Sequence, residues 1–136
     1  MNTTANNIHE FPEALVVDCA EKQLHVNHAR RGDLRLAVAA LVDANERTYI
    51  ETAARIPAAK VVDFCAALLG DDGDVFDCSI DTGLLVWRVR VHRSERGVFV
   101  GVSHNWHGRT GAGAFQARTM YIPAEVAERV ARYCAA

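Results

Sequence analysis

IPAAKVVDFCAA at residues 56–67 and IPAEVAERVARYCAA at 122–136 read as two versions of one signal. Each opens on Ile-Pro-Ala and reaches an aromatic residue followed by Cys-Ala-Ala. Proline suits a first helical turn, where its missing N–H would have no intrahelical partner anyway. In the first copy Val61, Phe64, Cys65 and Leu68 recur at i, i+3, i+4 and i+7, and Gly70 ends the pattern. In the second, Val126, Val130 and Tyr133 form the apolar side. Glu125 with Arg129, and Glu128 with Arg132, have the i,i+4 spacing of ion pairs worth about 0.3 kcal/mol each. Two amphipathic helices are therefore predicted, each closing a block of chain.

What precedes each helix alternates with period two, the mark of half-buried strands. In the first block LVVDC (15–19) aligns Leu15, Val17 and Cys19, and QLHVNH aligns Leu24, Val26 and His28. After a turn at Arg31-Gly32-Asp33, LRLAVAALV (34–42) aligns Leu34, Leu36, Val38, Ala40 and Val42. Its alanine content also permits a helix, but the alternation favours a strand. RTYIETAARI (47–56) then aligns Thr48, Ile50, Thr52, Ala54 and Ile56. In the second block VFDCSID (75–81) aligns Phe76, Cys78 and Ile80, and LVWRVRVH (85–92) aligns Leu85, Trp87, Val89 and Val91. Val98, Val100 and Val102 follow in VFVGVSHNW, and AFQARTMYI (114–122) is the eighth strand. The predicted fold is α+β: a duplicated β-β-β-β-α unit, with antiparallel sheet covered on one face by two helices. The pseudo-repeats span about 13–70 and 75–136 of a single domain (13–136), behind a mobile stretch at 1–12.

Composition narrows the function classes. A chain of 136 residues is long enough to bury one core without disulfides or metals. A net charge of −2 gives no overall field to draw it to nucleic acid or an anionic membrane. The opening MNTTANNIHEFPE has no basic or apolar region of a signal peptide, and no run is long enough to span a bilayer. A cytoplasmic protein is expected. Cys19, Cys65, Cys78 and Cys134 form no CxxC pair and sit in apolar patterns, so they read as small buried hydrophobes rather than zinc ligands. No cofactor or metal is predicted.

The chemistry-bearing residues gather in three places. VSHNWHGRTGAGAF (102–115) holds His104, Trp106, His107 and Arg109. Three residues apart on a strand, His104 and His107 point to opposite faces, so they cannot share a metal ion without a turn. The glycines precede a strand and lack a lysine, which excludes a phosphate-binding loop at a helix N-terminus. A hairpin loop is expected, with Trp106, His107 and Arg109 as an anchor for a partner, Trp and Arg being frequent hot-spot residues. Asp71, Asp72, Asp74, Asp77 and Asp81 crowd eleven residues. The spacing misses a calcium loop and has no closing Glu. It reads as a solvated turn or as an acidic patch for a basic partner. Third, Arg88, Arg90, His92, Phe99, Ser103 and Asn105 share an outer hairpin face. Basic residues beside an aromatic on a sheet suggest a single-strand nucleic-acid platform, weakened by there being one large aromatic.

The order helix IPAAKVVDFCAALLGDDGD (56–74), charged hairpin WRVRVHRSERGVFVGVSHNW (87–106), then FQARTMYIPAEVAERV (115–130) resembles small bacterial immunity proteins of contact-dependent and wall-associated toxin systems. The resemblance covers about residues 56–134 and lies in element order, not in a catalytic signature. The Gly-rich loop and HNWH depart from it. It implies a cytoplasmic, non-enzymatic protein that binds and neutralises one cognate toxin domain, often a nuclease. Nuclease domains hold phosphates and tend to be basic, which suits the acidic cluster at 71–81. The alternative is a nucleic-acid-binding module using the Arg88/Arg90/Phe99 face; a weaker one is a metal enzyme using His92, His104 and His107. Exposed strand edges also leave room for a homodimer.

Overall fold

Period-two alternation dictates strands through both halves, because it gives each strand one face to bury and one to solvate. The computed structural model describes residues 7–19, 21–43, 45–46, 48–70, 75–111 and 113–136. In chain order the first half forms β1 (Asn7–Glu10), β2 (Ala14–Cys19), β3 (Lys22–His28), β4 (Leu34–Asp43), β5 (Thr48–Ile56) and α1 (Val61–Leu69). The second forms β6 (Val75–Asp81), β7 (Leu85–Ser94), β8 (Gly97–Trp106), β9 (Phe115–Ile122) and α2 (Ala124–Ala135). The fold is α+β, and its strands divide into two antiparallel meanders, β1-β2-β3-β4-β5 and β6-β7-β8-β9. The sequence predicts β-β-β-β-α twice; β1 adds a fifth strand to the first half. It lies inside the stretch 1–12 expected to be mobile and pairs along β2, Ile8 opposite Val17.

In the first sheet, Val17, Leu24, Val38 and Thr52 make one cross-strand row, and Leu15, Val26, Leu36 and Ala54 the next. These rows are buried almost completely. Four residues predicted on the inward face are not buried: His28, Val42, Thr48 and Ile50 are exposed. The register shifts between Leu41 and Asp43, and such a bulge re-aims Val42, whereas Ile50 still pairs in register with Ala40. In the second sheet, Phe76, Val91, Val100 and Met120 form one inner row, and Cys78, Val89 and Val102 lie in the next. One apolar core joins both sheets and both helices, from Leu15 through Phe64 and Val89 to Val130.

Each proline stands just ahead of a helical segment, in extended backbone, rather than in the first helical turn where the sequence places it. Pro57 precedes a single 3-10 turn, Ala58–Lys60, that runs into α1, and Pro123 is the N-cap of α2. Asp33, in the β3–β4 turn, accepts the Ala58 N–H at 2.9 Å and so satisfies a donor at the entry to this helical segment. At the other end, Arg93 Nη2 donates to Leu68 O at 3.0 Å, which satisfies one of the last carbonyls of α1. α1 packs against α2, β6 and β7, while α2 also meets β2, β3 and β8. Arg129 pairs with Glu10 of β1 at 3.3 Å rather than with Glu125, so it ties α2 to the N-terminal strand.

Candidate partner-binding surface

The outer face of the second sheet follows from the register of its strands. Each inward core residue leaves its neighbours pointing out, and four cross-strand rows result. They are Val75–His92–Phe99–Tyr121, Asp77–Arg90–Gly101–Thr119, Ser79–Arg88–Ser103–Ala117 and Asp81–Val86–Asn105–Phe115. The predicted grouping of Arg88, Arg90, His92, Phe99, Ser103 and Asn105 is therefore real. The expectation of one large aromatic is corrected: Phe115 and Tyr121 of β9 stand on the same face, both exposed. The alternation of β9 carries the signal for them. Matching that alternation to β8 requires the register across the Gly-rich loop, which period alone does not supply.

One end of this face is an aromatic ladder. His92 stacks on Phe99 with centroids 4.7 Å apart, Tyr121 meets Phe99 edge-on at 5.6 Å, and the Arg96 guanidinium lies 5.3 Å above Tyr121. Gly101 makes room for the ladder, since a Cβ there would come within 3.0 Å of the Phe99 ring. Its small neighbours Ser103, Ala117 and Thr119 floor a trough of about 190 Å³, flanked by Arg88, Arg90 and Phe115.

The charges on this face are held. Asp77 accepts from Arg88 through both oxygens, at 2.9 and 2.6 Å, and lies 3.6 Å from Arg90 Nε. The Arg88 hydrogen bonds hold the Asp77 carboxyl below the usual carboxylate range, with the charges of both arginines acting in the same direction. Two guanidiniums against one carboxylate leave one positive charge here. Asp77 is thus part of a basic triad, not of a free acidic patch.

The rim at the far end assembles the other predicted residues. His107 N–H donates to Leu84 O at 2.9 Å and Trp106 N–H to Ala114 O at 2.8 Å, which locks the β6–β7 and β8–β9 loops together. Asp81 Oδ1 accepts the Gly83 N–H at 2.9 Å and meets His107 Nε2 at 2.9 Å. The Gly83 amide, then His107, hold the Asp81 carboxyl below its ordinary range. The Arg109 guanidinium stacks 4.8 Å from the Trp106 ring, and His104 meets that ring edge-on at 6.3 Å. Leu84, whose carbonyl His107 holds, and Phe115, on the outer face at the same end of the sheet, are 71 % and 61 % exposed. Asp81, Trp106, His107 and Arg109 are therefore neighbours, although 24 residues of chain lie between Asp81 and Trp106.

The remaining candidates lie elsewhere. Asp77 is four residues from Asp81, about 13 Å along β6. Asp71, Asp72 and Asp74 lie outside the described residues. His92 belongs to the aromatic ladder, and His104 pairs with Trp87 on the inner face, so His92, His104 and His107 do not converge. Among the described residues no group of three metal-ligating side chains comes together. Of the thiols, Cys65 and Cys134 meet at the α1–α2 contact, and burial pushes Cys134 up to about 12. No helix among the described residues is long and apolar enough to cross a membrane. Among known proteins, no family model matches the chain and no curated protein matches it.

Proposed function

We propose that the protein is a cytoplasmic, non-catalytic binding protein that neutralises a cognate bacterial toxin domain by covering its active site or a surface beside it. The observation that carries this reading is the rim cluster. Trp106 and Arg109 are stacked, His107 is tied to Asp81, and Leu84 and Phe115 are exposed at the same end of the sheet. A preorganised Trp–Arg stack has the composition of a protein–protein hot spot, because little conformational entropy remains to be lost on docking. A basic nuclease domain suits Asp71, Asp72 and Asp74 of the sequence together with Asp81 at the rim. The shared order of four antiparallel strands and a helix in the two halves supports a duplicated unit, with β1 as a later addition to the first.

The test is co-expression with the toxin domain encoded beside it. The wild-type chain should restore growth and co-purify with the toxin, and Trp106→Ala combined with Arg109→Ala should lose both while remaining folded. Absence of binding by the wild-type chain at micromolar concentration sinks the proposal.

One observation favours a second reading. Phe99, Tyr121 and Phe115 share an open sheet face with Arg88, Arg90 and Arg96, an arrangement that stacks unpaired bases between phosphate contacts. Fluorescence anisotropy with short single strands at low salt decides it. Binding should fall steeply with salt and with Phe99→Ala, and an unchanged signal across both removes this reading.

A further inference from the structure

The two helical segments share one more feature, apart from the rim and the sheet face. Phe64-Cys65-Ala66-Ala67 and Tyr133-Cys134-Ala135-Ala136 set a cysteine at the same point of each aromatic-Cys-Ala-Ala stretch. The fold brings these two cysteines against each other. Cys65 Sγ lies 3.7 Å from the Ala131 carbonyl, one turn before Cys134 on α2, and the two thiols share a hydrogen bond. Cys65 is partly open to solvent, whereas Cys134 is 4 % exposed. Their contact is also a junction of the fold. α1 lies on β6 and β7 of the second sheet, and α2 meets β2 and β3 of the first, so each helix reaches strands of the other half of the chain.

We propose that Cys65 and Cys134 are a modification site: hydrogen peroxide oxidises them to a disulfide that staples α1 to α2. Cys65 is the thiol that reacts first. Burial pushes it up, but the Cys134 S–H donates to it and draws it back towards the anion, and solvent reaches it. Cys134 is more deeply buried and keeps its proton. The Cys65 thiolate attacks one peroxide oxygen, the O–O bond breaks, and the departing hydroxide takes up a proton to leave as water. Cys65 is then a sulfenic acid whose sulfur touches that of Cys134. The Cys134 sulfur attacks it, the S–OH bond breaks, and the thiol proton leaves with the hydroxide as a second water. Two thiols lose the two electrons that one peroxide gains. The raised thiols make the first step slow, and the contact decides its product. A second thiol already in place traps the sulfenic acid before more peroxide carries it to the sulfinic acid.

Peptide mapping of the full chain tests this. The folded protein is treated with excess hydrogen peroxide at about pH 8.5, near the ordinary thiol value, then alkylated in denaturant. The expected product has lost two hydrogens, joins the peptides of Cys65 and Cys134, and leaves Cys19 and Cys78 unlinked. Because the bridge ties positions far apart in the chain, the guanidinium unfolding midpoint should rise by about 1 M and return on reduction with dithiothreitol. Cys65→Ser, at a partly exposed position, should keep its circular dichroism and lose both the link and the rise. Cys65 carried to the sulfinic acid without a link overturns the proposal. So do thiols that all remain open to alkylation, a bridge that joins a different pair, or a midpoint that rises equally in Cys65→Ser.

Discussion

Two positions show how single residues carry the fold. Gly97 turns β7 into β8 with φ +120, and a Cβ there would sit 2.6 Å from Ile122 O. No L side chain suits that backbone, and the clash is with main chain that cannot rotate aside. Gly97→Ala should cost about 1–3 kcal/mol in denaturant unfolding, chiefly as strain between β8 and the end of β9. Thr52 is the opposite case. It is fully buried in a row of valine and leucine, and its Oγ1 has no hydrogen-bond partner among the described residues. Thr52→Val keeps the shape and removes a desolvated hydroxyl, so unfolding free energy should rise by about 1 kcal/mol. An unchanged or lower value would mean that the hydroxyl is satisfied in solution.

At the scale of elements, the α1–α2 contact sets a pH dependence. Cys134 is pushed up to about 12 by burial first, with the facing Cys65 adding to it, so the folded state retains the proton that the unfolded chain releases near 9.0. A raised folded value means that the stabilisation is complete below pH 9.0 and is lost as pH rises towards about 12. Wild-type stability should fall across that alkaline window, and Cys134→Ser, less stable at neutral pH, should show a shallower fall. The Asp77–Arg88 hydrogen bonds act at the other extreme. The lowered Asp77 value gives stabilisation present above the ordinary carboxylate range and lost as pH falls through it.

The elements themselves were legible in the sequence wherever one periodicity ruled. The eight strands and two helices stand where alternation and Ile-Pro-Ala place them, because burial of one face dominates local choice. What period could not supply was pairing. The division into two sheets, the strand at Asn7–Glu10 and the register that sets Phe115 and Tyr121 beside Phe99 depend on contacts distant in sequence. Val42 escaped for a local reason, a bulge that shifts the frame after Leu41. The candidate site divided in the same way. Trp106, His107 and Arg109 are close in sequence and group together on that ground alone, whereas the Asp81 contact depends on two loops meeting. The acidic cluster misled at Asp77, since a charge count does not reveal that Arg88 and Arg90 face it from the next strand.

Across the whole molecule, strand β6 links the basic sheet face to the rim. Its middle sets Asp77 against Arg88 and Arg90, and its end at Asp81 braces the rim through His107. The sheet face and the rim should therefore separate by mutation. Trp106→Ala with Arg109→Ala should abolish binding of the toxin domain, and Phe99→Ala, on a chain that keeps its circular dichroism, should leave it intact. Titration calorimetry on the two variants checks both halves. Loss of toxin binding in folded Phe99→Ala would show that docking also needs the aromatic ladder, and the rim would then be one part of a larger surface that runs along β6 onto the sheet face.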